Sequence, residues 1–122
     1  MPPQIQGMKL GSNDINIVNG KAIIPSRRPG MLLIYADWCP HCHHFIPIFN
    51  ELCSKLGNDF PLMSVESNEI SPTLNKALGF SGFPTIKFFD QRGNILSDYT
   101  GERTVPDILM YICRIYSFCV NK

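Results

Sequence analysis

Met31-Leu32-Leu33-Ile34-Tyr35-Ala36-Asp37-Trp38-Cys39-Pro40-His41-Cys42 runs from an unbroken apolar stretch straight into two cysteines separated by two residues. An apolar run of this length fits a strand buried on both faces in the middle of a sheet. Beyond it Phe45, Ile48, Phe49, Leu52, Cys53 and Leu56 recur three or four apart, with His44, Glu51 and Lys55 on the other side, which predicts a core-facing helix over residues 41–56. Pro47 lies inside that helix, where the loss of a backbone donor predicts a kink rather than an end. The cysteines thus fall at a strand-to-helix junction, at the carboxyl end of a strand, where open α/β sheets tend to carry their sites.

That position suits thiol–disulfide chemistry. The thiolate is the reactive form of cysteine, and both the positive end of a helix and a neighbouring imidazole stabilise it. Cys39 has both, with His41 two residues on. The spacing puts Cys42 about one turn into the same helix, close enough to attack a disulfide formed by Cys39. Cys39 is the candidate nucleophile and Cys42 the resolving thiol.

Composition bounds the alternatives. The chain of 122 residues is long enough for one domain with a real core, and its formal charge of +1 points to neither a nucleic-acid nor a membrane surface. Five cysteines with one close pair do not form the framework of a small disulfide-rich domain. Cys53 and Cys113 lie on apolar stripes and read as buried hydrophobes, whereas Cys119 points elsewhere and is a candidate for an intermolecular disulfide linking two copies. No apolar segment of signal-peptide or membrane-span length is present, so the expectation is a cytoplasmic protein by default. The ending Cys119-Val120-Asn121-Lys122 has the spacing of a prenylation box without a usual last residue.

In chain order, residues 1–14 read as a flexible arm and residues 15–122 as a single domain. Ile15 to Val18 and Ala22 to Ile24 flank the turn dipeptide Asn19-Gly20. Arg27 and Arg28 read as part of a solvated basic loop. Leu62 to Val65 is a short strand candidate, and Ser71-Pro72 opens a helix to Leu78, stopped by Gly79. Thr85 to Phe89 and Ile95 to Tyr99 are strands of a hairpin, and Thr104 caps a last helix to about Phe118 with Ile108, Leu109, Ile112, Ile115 and Tyr116 buried. Parallel strands come first and an antiparallel hairpin late, which predicts an α/β fold.

Three motifs in order, Trp38-Cys39-Pro40-His41-Cys42 with Pro47 five residues on, Gly82-Phe83-Pro84-Thr85-Ile86-Lys87-Phe88-Phe89, and Tyr99-Thr100-Gly101-Glu102-Arg103, resemble the thioredoxin superfamily. The detail over roughly residues 31 to 118 is most similar to a catalytic domain of protein disulfide isomerase. The resemblance implies a thioredoxin-like fold, a central mixed sheet flanked by helices, acting on protein thiols and disulfides without a cofactor or metal. It implies that Pro84 is a cis proline against the disulfide, that the Phe83 backbone pairs with an extended substrate, and that Trp38 and Phe83 give it apolar contact. Arg103 matches an arginine that can swing toward the second cysteine. Pro40-His41 is also the middle pair of a bacterial periplasmic oxidant of this superfamily, which leans the reading to oxidase or isomerase. A thioredoxin-like reductase is the alternative, and the partner that reoxidises or reduces the site is not named by these residues. Large DNA viruses carry short leaderless domains of this kind, so a virion is the second expected location.

One position departs from the family. Leu33 stands six residues before Cys39, where a buried Asp or Glu usually serves as base for the resolving thiol, which predicts slow release of mixed disulfides. Two other classes remain open. Cys39, Cys42, His43 and His44 could hold zinc, although a second well-spaced pair is missing and the two histidines read more simply as solvated. A redox-poor adaptor would use the Trp38 and Phe83-Pro84 surface alone.

Overall fold

The computed structural model describes residues 4–120; the start of the expected arm and the last two residues of the carboxyl-terminal box lie outside the described residues. Chain order is β1 (Met8–Leu10), β2 (Asn16–Val18), β3 (Lys21–Ile23), β4 (Gly30–Tyr35), α1 (Pro40–Leu56), β5 (Leu62–Glu66), a short 3-10 turn (Ser67–Glu69), α2 (Pro72–Leu78), β6 (Thr85–Phe89), β7 (Ile95–Asp98) and α3 (Val105–Tyr116). The five-stranded sheet has the order β1-β5-β4-β6-β7. The strands β1, β5 and β4 run parallel, while β6 and β7 are antiparallel to their neighbours. This is the expected mixed sheet flanked by helices.

Every residue of β4 is buried because both faces of the strand are covered. Met31, Leu33 and Tyr35 join a cluster with Cys39, Cys42, Phe45 and Phe49 from α1 and its cap, and Ile108 and Ile112 from α3. Leu32 and Ile34 face a second cluster containing Leu74 and Leu78 from α2. The apolar run is therefore the spine between two half-cores, and it ends where α1 begins.

Local signals place most boundaries. Asn19 and Gly20 both have positive φ, as the turn of a two-residue hairpin requires, and β2 and β3 pair across them. Ser71 accepts the Leu74 amide and Thr104 the Asp107 amide, so α2 and α3 start at capping side chains followed by proline within two positions. Pro47 lies within α1, which continues to Leu56.

Three expectations are corrected. Residues 8–10, assigned to the loose arm, form β1 and pair with Met63 to Val65 at the sheet edge. Ile115 is 51% exposed, because at the last turn of α3 it is Tyr116 that meets the core, packing edge to face on Phe60 and donating its hydroxyl to the Phe89 carbonyl. Cys113 and Cys119 form an intramolecular disulfide with their Cα atoms 4.4 Å apart. Ser117 ends α3 in a left-handed conformation and turns the chain back on itself, so Cys113 is not a free buried thiol and Cys119 is joined within its own chain rather than to a second copy.

Candidate active site

Cys39 is the N-cap of α1, with Pro40 opening the first turn. Its sulfur accepts the Cys42 amide at 3.3 Å, as a capping group does, and its thiol points to the Phe83 carbonyl at 3.8 Å. Cys39 is 4% exposed and Cys42 0%, so any partner reaches the pair through Cys39. The peptide bond Phe83-Pro84 is cis. The two cysteines, Phe83 and Pro84 therefore come together, although more than forty residues of sequence separate the two motifs.

Burial, followed by the hydrogen bond with Cys39, pushes the Cys42 thiol up to about 12, and the positive charge of Arg103 pulls the other way. Arg103 thus acts electrostatically on Cys42 while remaining exposed. No carboxylate stands in the first turn of α1, and His41, on that turn, is exposed.

Trp38 is 70% exposed and meets Phe83 edge to face at 5.7 Å; Phe80 supports Phe83 from behind at 5.5 Å. An apolar ledge so borders the Cys39 sulfur. The ring of His43 bonds the Asp37 carbonyl, so His43 belongs to the turn rather than to solvent, while His44 is exposed as expected. From the other side Glu66 accepts the Asp37 amide at 3.1 Å. Burial raises the Glu66 carboxyl, but the amides of Asn68 and Asp37 and the Ser67 hydroxyl outweigh it and hold the group below the usual carboxylate range.

Sequence reasoning missed Glu66 and His43 as braces of the Asp37 turn, and also Lys87. The Lys87 ammonium, nearly fully buried, bonds Asp98 at 2.6 Å and the Gly79 carbonyl at 3.1 Å, tying α2, β6 and β7 around the loop that carries Phe83 and Pro84. A lysine inside Thr85-Ile86-Lys87-Phe88-Phe89 was the available signal, since a buried cation must find partners. Cys53 is half-buried rather than fully buried, and burial pushes its thiol up to about 11, far from reactive. Among the described residues no group of three His, Cys, Asp or Glu is arranged to hold a metal, and no helix is long and apolar enough to cross a membrane.

The thioredoxin family model matches residues 18–114. Protein disulfide-isomerase erp38 of Neurospora crassa is 30% identical over 92 residues, which cover 74% of this chain and 25% of that protein. Protein disulfide-isomerase A3 of Gallus gallus is 35% identical over 89 residues, covering 71% of this chain and 17% of that protein. The chain so spans a quarter or less of these curated relatives. Among solved structures, the Trx4 domain of ERdj5 superposes with a TM-score of 0.71 at 19% identity, over 94% of this chain and 100% of that one. Human ERp44 form II also gives 0.71, at 24% identity, over 93% of this chain and 30% of that one. At these identities the structural likeness is one of fold. The expectation of a cytoplasmic default is corrected by the relatives: protein disulfide-isomerase A3 is a protein of the endoplasmic reticulum and secretory pathway, in conflict with it.

Proposed function

We propose that this chain, which belongs to the thioredoxin family, works as a thiol–disulfide oxidoreductase on protein cysteines, in the direction of an oxidase or isomerase. The observation that carries the reading is Cys39 at the N-cap of α1, its sulfur accepting the Cys42 amide and lying against Phe83 and the cis proline. When the pair is oxidised, a substrate thiolate attacks Cys39, the more accessible sulfur, and Cys42 leaves. A second substrate thiol then attacks the mixed disulfide, and Cys39 leaves as a thiolate that the helix N-terminus stabilises. In the reverse direction Cys42 resolves the mixed disulfide, and its raised thiol makes that step slow at neutral pH.

What surrounds Cys39 supports that direction. Stabilising the thiolate favours the dithiol, and a disulfide whose dithiol is favoured passes readily to substrates. The bare first turn, the dipole of a seventeen-residue helix and His41 all act in that sense. Trp38 and Phe83 suit the apolar segments of incompletely folded chains, and Arg103 eases the charge on Cys42 during resolution.

The test is the equilibrium potential of Cys39/Cys42 against glutathione, read by alkylation and intact mass with metal content measured on the same sample. A value at or above about −180 mV supports the oxidase or isomerase, and one near about −270 mV makes it a thioredoxin-like reductase. Absence of any Cys39–Cys42 disulfide, with stoichiometric metal, removes the enzyme reading.

A further inference from the structure

The chain holds two cysteine pairs on opposite ends of helix dipoles. Cys39 caps the amino terminus of α1, whereas Cys113 lies in the last turn of α3, where its carbonyl accepts the C-cap amide of Ser117. In the structure Cys113 and Cys119 are joined as a disulfide, whereas Cys39 and Cys42 are free thiols. Of the joined pair, Cys119 is exposed, while Cys113 is half-buried.

The pairs are also at opposite ends of the sheet. Cys39 follows the carboxyl end of β4, whereas Tyr116 bonds the Phe89 carbonyl, and Phe89 pairs with Gly30 at the amino end of the same strand. The length of β4 between them is roughly 16 Å at about 3.3 Å per residue. Exchange between the two pairs thus requires two molecules.

We infer that the Cys113/Cys119 dithiol of a second copy of this chain is a substrate of the Cys39–Cys42 disulfide. This rests on the thiol–disulfide reading above and names one of its substrates. The exposed Cys119 thiolate attacks Cys39 Sγ, the Cys39–Cys42 bond breaks, and Cys42 leaves and takes a proton from water. Cys113 then loses its proton to water and attacks Cys119 Sγ; the mixed disulfide breaks and Cys39 leaves. Two electrons have passed from the C-terminal dithiol to the active-site disulfide. The product is a closed ring that brings Phe118 against Phe60.

The experiment uses isotope-labelled, fully oxidised wild-type chain as donor, with its own C-terminal disulfide intact. The acceptor is the unlabelled Cys39→Ser/Cys42→Ser variant with Cys113 and Cys119 reduced. After mixing without small thiols, alkylation and intact mass read the state of each copy, and a reduced dithiol peptide serves as control substrate. The expected result is transfer of the disulfide to the acceptor, more than tenfold in its favour at equilibrium. An acceptor that stays reduced while the control peptide is oxidised overturns the inference and leaves the proposed function standing. A donor that oxidises neither overturns both. Transfer seen only after glutathione is added overturns direct exchange between copies.

Discussion

Leu33 on β4 stands in register with Ser64 on β5, and the Ser64 hydroxyl, buried, has no hydrogen-bond partner among the described residues. Leu33 lies in the same buried cluster as Cys42. Both residues belong to neighbouring strands under α1, so a side chain at position 33 bears on the environment of the resolving thiol.

Placing an acid there supplies the missing base. Leu33→Glu is expected to shorten the lifetime of mixed disulfides by about a hundredfold, the low end of what a positioned proton acceptor contributes. The Ser64 hydroxyl is available to donate to the new carboxylate, while burial of the charge lowers stability. Quenched-flow trapping of the Cys39 mixed disulfide with a peptide measures the first effect and urea unfolding the second. An unchanged lifetime in a folded variant shows that proton removal from Cys42 is not limiting.

The raised Cys42 and Cys53 thiols make the reduced protein sensitive to alkali. The unfolded chain gives up these protons near the ordinary thiol value of about 9, but the folded chain holds them to about 12 and about 11. Between those values the unfolded state binds fewer protons, so stability, complete below about 9, falls as pH rises and is lost through the folded values. Urea midpoints of the reduced protein should decline from pH 8.5 to pH 10.5, and the decline should flatten in Cys42→Ser and Cys53→Ser. The resolution rate should meanwhile rise about tenfold per pH unit between pH 7 and pH 9, as the Cys42 thiolate fraction does.

Lys87 and Asp98 differ in what their loss leaves behind. The Lys87 side chain is 4% exposed and that of Asp98 47%. Asp98→Ala strands a buried ammonium and is expected to cost about 3 kcal/mol, whereas Lys87→Met leaves only an exposed carboxylate and should cost less. Chemical denaturation of the two variants gives the order, and the reverse order would show that the pair's charge is not what matters.

Trp38 contributes to the surface rather than to the fold. Trp38→Ala removes one edge-to-face aromatic contact, worth about 1 kcal/mol, and an exposed face. It should change unfolding midpoints little while raising the KM for an unfolded protein substrate about fivefold, with kcat for a small dithiol unchanged. A loss of both activities alike would place Trp38 in the chemistry instead.

Much of this molecule follows from short-range sequence. The apolar run of β4, the three-and-four spacing of α1, the caps Ser71 and Thr104 and the Asn19-Gly20 turn are local physics, so they read correctly without tertiary information. The order of motifs likewise located Cys39, Cys42, Phe83 and Pro84 before any contact between them was known. Only the tertiary structure decided the rest. β1 is three residues long in a glycine-rich stretch and becomes a strand because β5, more than fifty residues on, offers it an open edge. Cys113 and Cys119 pair because Ser117 adopts a left-handed turn that its residue type does not announce. The Lys87–Asp98 pair, the isolation of Ser64 and the burial that raises Cys42 depend on which surfaces close over one another. Periodicity and caps act over a single turn or pleat, whereas partners for an edge, a charge or a thiol are chosen by packing across the whole chain.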